Sequence, residues 1–162
     1  MAMTSYLSLT GNNQGDIQGD CRQAGREDTI LVYDVQHTIE IPRDTHTGLP
    51  TGQRIHHPLT ITKHFDNASP KLKQACTSGE KFSMVQLDFY RINEAGKEEL
   101  YYQIKLENAI IVSIRDYKPM TFIPENKPYH DMEEVSFTYS KIIWAHVTAA
   151  VEAEDDWQTP KA

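Results

Sequence analysis

The chain has 162 residues, 39% hydrophobic and 24% charged, with a formal net charge of −7. That is enough for one globular domain with a real core and too little for two of ordinary size. Lysine and arginine are scattered rather than gathered in a basic run, which argues against binding to bare nucleic acid or an anionic membrane surface.

The amino terminus, Met1 to Leu7, lacks the basic and apolar regions of a secretory signal, and no run of about 18 apolar residues occurs. The expectation is a chain made and folded in a reducing cytosol, with Cys21 and Cys76 as two free thiols. Leu7 and Leu9 begin a short strand, and Gly15-Asp16-Ile17-Gln18-Gly19-Asp20 lacks the acidic order of a calcium loop and reads as a turn-rich loop. Leu31, Tyr33, Val35, Ile39 and Ile41 alternate as a strand, and Leu59, Ile61 and Phe65 form another. Between them lies a long loop over residues 42–57, rich in proline and glycine. Loops of this length in a small domain are usually functional or interfacial. Histidines 46, 56, 57 and 64 fall within nineteen residues, and His130 with Glu133 makes a weak H-x-x-E. Their spacing matches no zinc pattern, so no metal ligand set is assigned.

The best-signalled helix start is Ser69-Pro70, with serine as N-cap and proline at the first helical position. Leu72, Ala75 and Cys76 make one apolar stripe, and Gly79 ends the helix after about two turns. Val85, Leu87 and Phe89 then alternate, followed by the turn Asn93-Glu94-Ala95-Gly96-Lys97, so residues 83–106 read as a hairpin. From Leu100 to Ile114 the even positions are apolar apart from Asn108, which predicts a bulge or corner near residues 107–109. A second long loop spans residues 116–133, and Val135, Phe137, Tyr139, Ile143, Ala145 and Val147 form a last strand. Ile142 and Trp144 then lie on its opposite face, where another subunit or the helix must cover them. The single domain closes near residue 150, and residues 151–162 read as an acidic, mobile tail.

Six or more alternating strands with one helix give a mainly β fold: a β-barrel of two packed, mostly antiparallel sheets with a short helix on its flank. No G-x-S-x-G, P-loop, dinucleotide fingerprint or cysteine with an evident base is present, so no catalytic residue and no cofactor is assigned and the chain is not read as an enzyme.

Three blocks carry a family resemblance. Thr62-Lys63, Asp66, Ala68-Ser69-Pro70, Leu72, Gln74-Ala75-Cys76 and Gly79 come first, then Leu100 to Ile111, then Glu134 to Lys141-Ile142 and Trp144. Together these resemble the Hcp (haemolysin-coregulated protein) family, the inner-tube component of type VI secretion systems. The resemblance implies a non-enzymatic subunit that forms six-membered rings, stacked into a tube inside a contractile sheath. It also implies sheath and spike proteins as partners, small effectors carried in the lumen, and a cytoplasmic protein that leaves the cell without a cleaved signal. A chain ending about fifteen residues past its last strand is expected to be the plain tube form. Within that picture Ile142 and Trp144 are the expected subunit interface, and Arg43, Asp44, Leu49 and Arg54 the expected ring-stacking residues. Gln103, Lys105 and Glu107 are expected to face the lumen. The alternative from another class is a monomeric small-ligand-binding β-barrel with residues 116–133 as a lid.

Overall fold

A computed structural model describes residues 1–159. Its strands run in the order β1 (Ser5–Gly11), β2 (Gly15–Ile17), β3 (Ile30–Val32), β4 (Asp34–Gln36), β5 (Ile39–Glu40), β6 (Ile55–His56) and β7 (Leu59–His64). Then come α1 (Ser69–Ser78), β8 (Lys81–Ile92), β9 (Glu98–Tyr117), β10 (Met132–Thr138), β11 (Lys141–His146) and β12 (Val151–Asp156). Ten strands join one antiparallel sheet whose main path is β2-β1-β8-β9-β10-β7-β4, and β5 pairs with β6 in a separate ribbon. The fold is mainly β with one helix; two packed sheets were expected, and a single ladder is found. Segment 30–36 explains the difference. Its first half pairs with β1, its second half pairs with β7, and Tyr33 between them donates to the Thr62 carbonyl, so the two ends of the ladder meet on one short piece of chain.

The concave face is filled by side chains from nearly every strand, including Leu7, Ile30, Leu59, Ile61, Phe82, Leu87, Leu106, Val135 and Phe137. Phe82 and Phe137 meet edge to face at 6.3 Å. Each such residue stabilises the fold by about 1.5–3 kcal/mol before chain entropy is set against it. In the third strand the inward residues are Ile30 and Val32, with Tyr33 exposed, one place out of step with the expected set.

The β8/β9 hairpin forms around the predicted turn. Asn93 Oδ1 accepts from the Ala95 and Lys97 amides at 2.9 and 3.0 Å, and Gly96 takes φ 76°. Asn108 sits at φ 50°, a left-handed conformation that asparagine tolerates better than most residues. There the strand changes which face it shows: Ile104 and Leu106 point inward before it, Ala109 and Ile111 after it, and Val112 is 49% exposed instead of buried. The opposing chain turns over at the same place. Tyr139 and Ile142 are both buried, and the chain between β10 and β11 is tied by Ser140 N–H and Oγ to the Glu107 carbonyl. Residues facing each other across a ladder share a face, so neither strand can flip alone.

Helix α1 covers one end of the core with Leu72 and Ala75, while Cys76 packs partly against it. Gly79 stops the helix at φ 67°, as the sequence predicts. Ser69 is not its N-cap, however: Ala68 holds that position with no side-chain cap, because the Ser69 hydroxyl is used elsewhere. Cys21 and Cys76 are free thiols. The segment expected to be a mobile tail instead folds back as β12 on β11 through its whole length, and only residues 160–162 of it lie outside the described residues.

Candidate assembly surfaces

Beneath α1 lies a buried polar cluster built from the residues of the first resemblance block. Lys63 points inward from β7 and lies directly opposite Glu133 on β10. Its ammonium donates to Glu133 Oε1, to Ser69 Oγ at 3.0 Å and to the His64 carbonyl at 2.8 Å, and lies 2.9 Å from Asp66 Oδ1. Ser69 Oγ in turn donates to Glu133 Oε1 at 2.7 Å and accepts from the Asp66 amide. Lys63, Asp66 and Glu133 side chains are at most 1% exposed. A serine beside a lysine superficially suggests a nucleophile and base, but this pair is sealed under the helix. Its chemistry is anchoring: the buried Lys63 cation and two carboxylates tie the helix start to two strands, and Lys73 of α1, partly exposed, lies 3.6 Å from the other Glu133 oxygen.

The 42–54 loop is an arm that extends the β5/β6 ribbon. Arg43 bridges to Pro50, the Asp44 amide donates to the Leu49 carbonyl, and Asp44 Oδ1 accepts from the amides of His46 and Thr47 at the tip. Leu49 is 65% exposed, and Ile39, Ile41 and Ile55 also show apolar surface. Arg43 and Leu49 are therefore free to meet another molecule, and Asp44 shapes the turn. Arg54 differs from the expectation. It is committed within the subunit, with Nε and Nη2 on the Asp155 carboxylate at 2.9 and 3.2 Å and Nη2 also on the Asp156 carbonyl at 2.8 Å. It anchors the arm to the carboxy-terminal strand.

Gln103, Lys105 and Glu107 lie on the convex face of β9, away from the core. Register places Asp88, Gln86 and Met84 beside them on β8, and Ala145, Ile143 and Lys141 on β11. Asp88 Oδ1 accepts from both Gln86 and Gln103 at 2.9 Å. The result is a mixed-charge, wet sheet surface continuous over β8, β9 and β11. The flip at Asn108 and Ser140 also decides the fate of the expected interface pair. Ile142 is 0% exposed and belongs to the subunit core, and Trp144 packs partly against that core. The outward residues of β11 are Ile143 and Ala145, the reverse of the simple alternation. Large apolar groups are open instead on the 118–131 segment, where Phe122 is 91% exposed beside Met120, Ile123 and Tyr129.

Among the described residues, no three His, Cys, Asp or Glu side chains gather as a metal site. His57 pairs with Glu40, and His64 with Asp20 and Tyr33. His56 lies in a chain with His37, Tyr139 and Asp155 that sequence reasoning missed: its partners stand as much as 102 residues apart, and no local spacing signals them. Burial, reinforced by the Asp155 charge, pushes the Tyr139 phenol above its ordinary range. Hydrogen bonds from Arg54 hold Asp155 below the usual carboxylate value.

The sequence matches the family model described as "Type VI secretion system effector, Hcp" over residues 6–146. It is 44% identical to the Major exported protein of Pseudomonas aeruginosa, across 100% of this chain and 99% of that one. Among solved structures, an Hcp protein superposes with a TM-score of 0.91 at 30% identity, covering 97% of this chain and 99% of its own. The secreted protein Hcp3 from Pseudomonas aeruginosa gives 0.80 at 38% identity, covering 98% and 100%.

Proposed function

The chain belongs to the Hcp family of type VI secretion system effectors, and we propose that it is an exported tube subunit that assembles into hexameric rings and stacks them. Catalysis has no part in this reading. The observation that supports it best is the division of the surface: a wet convex sheet face, a projecting arm with free Arg43 and Leu49, and exposed apolar side chains elsewhere. A cyclic ring needs two different patches per subunit, so that contacts run head to tail until they close. The apolar 118–131 segment is one such patch, in place of Ile142 and Trp144. Gln103, Lys105 and Glu107 face the lumen, where a polar wall lets small effector proteins slide. Arg43, Asp44 and Leu49 meet the next ring, and Arg54 fixes the arm that carries them. Sheath and spike proteins are the remaining partners. The protein resides in the cytoplasm until the apparatus fires and expels it.

The interior offers little to the alternative of a ligand-binding barrel, because Phe82, Phe137 and the aliphatic core fill it. Sedimentation and negative-stain microscopy of the purified protein test the proposal. Rings of about six times the subunit mass are expected. A clean monomer at high concentration refutes it.

A further inference from the structure

Two pieces of the subunit have little support of their own. Among the described residues β5 and β6 pair only with each other, and β12 pairs only with β11. A two-stranded ribbon is marginal in water, and β12 is an edge strand carrying Glu152, Glu154, Asp155 and Asp156. The two pieces meet at one place. His37 precedes β5 and His56 lies in β6, one on each leg of the arm, and both rings reach the Tyr139 hydroxyl, His37 Nε2 at 2.8 Å and His56 Nδ1 at 2.6 Å. His56 Nε2 also meets Asp155 Oδ2 at 2.7 Å, and Arg54 reaches the Asp155 carboxylate and the Asp156 carbonyl. Among the described residues, every hydrogen bond from segment 37–57 to the rest of the subunit ends on Tyr139, Asp155 or Asp156.

The direction of these bonds follows from Asp155, whose carboxylate only accepts. His56 Nε2 therefore donates to it and Nδ1 is left as an acceptor, so the Tyr139 hydroxyl donates to His56 and accepts from His37. All three links are met with both imidazoles neutral, and each group's role is fixed by the next. Trp157 closes the assembly: its amide donates to the Ser140 carbonyl at 2.8 Å, and its ring lies 5.4 Å from the His56 ring and 6.3 Å from that of Tyr139. We propose that the arm and the carboxy-terminal strand order as one cooperative unit, with Tyr139 as the residue that positions the arm by gripping both of its legs. A subunit with β12 in place then offers an arm already set for docking, with no ordering cost left to meet at the moment of contact.

The docking consequence rests on the stacking role proposed for the arm, but the coupling is tested without it, by hydrogen exchange on the unstacked full-length protein. The arm is reported by the amides of Thr51 and His57, bonded to the Pro42 and Thr38 carbonyls at 2.9 and 3.0 Å. β12 is reported by its own amides. Coupling between two ordering equilibria is reciprocal. Asp155→Ala should therefore speed exchange in the arm, and Arg54→Ala should speed it in β12, each by about tenfold or more, the effect of losing a buried hydrogen bond. Tyr139→Phe, which keeps the buried ring and deletes only the hydroxyl, should speed both. The Val85 and Leu87 amides of β8 should exchange as in the parent in all three variants. If an alanine variant speeds β8 as well, the isosteric Tyr139→Phe decides. Arm amides at the parent rate in Asp155→Ala, or β12 amides at the parent rate in Arg54→Ala, overturn the coupling. An arm unchanged by Tyr139→Phe overturns the positioning role of that residue. Failure of the parent protein to form stacked tubes counts against the stacking role alone.

Discussion

Replacing Lys63 by methionine keeps the aliphatic stem and deletes the charge at the centre of the anchor beneath α1. Asp66 and Glu133, both with side chains wholly buried, then face each other without their shared cation. Removing one partner of a buried ion pair costs about 3–5 kcal/mol, a large part of the roughly 5–15 kcal/mol that holds an ordinary domain folded. Glu133→Gln is the informative contrast. Its amide oxygen still accepts from Lys63 and Ser69, its nitrogen replaces Oε2, which accepts no hydrogen bond and loses only a 3.6 Å ion pair with the half-exposed Lys73, and Lys63 keeps Asp66 as counter-ion at 2.9 Å. The cost there is about 1–2 kcal/mol, the difference between a charged and a neutral acceptor. Urea unfolding followed by circular dichroism at fixed protein concentration measures both, since assembly shifts the midpoint. In the methionine variant a carboxyl that stays buried does so best protonated. Its folded-state pKa is raised, so stability is present at low pH and lost as pH rises, and the deficit should be smaller at pH 5 than at pH 8. Equal costs for Lys63→Met and Glu133→Gln would show that the cluster is not held together by the lysine charge.

Ile142→Ala should lower subunit stability by about 2–4 kcal/mol, as for a fully buried aliphatic residue; a variant that unfolds normally but fails to form rings would return Ile142 to the interface. Asn108→Val places a β-branched residue at φ 50° and should cost at least about 1–2 kcal/mol in the same unfolding assay, whereas Asn108→Gly should be nearly neutral. Deleting Leu49 to Gly52 should leave rings intact and abolish their stacking in micrographs; continued tube formation would move the stacking contact off the arm.

Local chemistry was legible in the sequence: the Asn93–Lys97 turn, the Pro70 helix start, the Gly79 stop and the long strand before Asn108. What alternation cannot report is two strands turning over together. Asn108 announced a corner, but Ser140 gave no sign that its own chain would flip in answer, so Ile142 and Trp144 were assigned to the wrong face. Charge misled in a second way. Nothing local in the sequence marks Lys63 and Glu133 as buried, because a lone buried charge is so costly; only their juxtaposition across 70 residues removes the cost. The acidic composition of residues 151–156 likewise hid a strand whose stability comes from its ladder with β11 and from Arg54. The arm and the polar face of β9 could be proposed from sequence because both are continuous stretches; the His37–Tyr139–His56–Asp155 chain could not, since it joins three distant segments.

The carboxy-terminal strand has one more consequence. Among the described residues β12 pairs only with β11, which leaves its outer edge as a template on which a second sheet could add. Two copies meeting there about a two-fold axis would bring Glu152 and Glu154 of one against the same acids of the other, and like charges at close range oppose that union. An edge that repels its own image disfavours edge-to-edge pairing with a second copy, with Glu152 carrying the repulsion most freely because Glu154 is paired with Lys141.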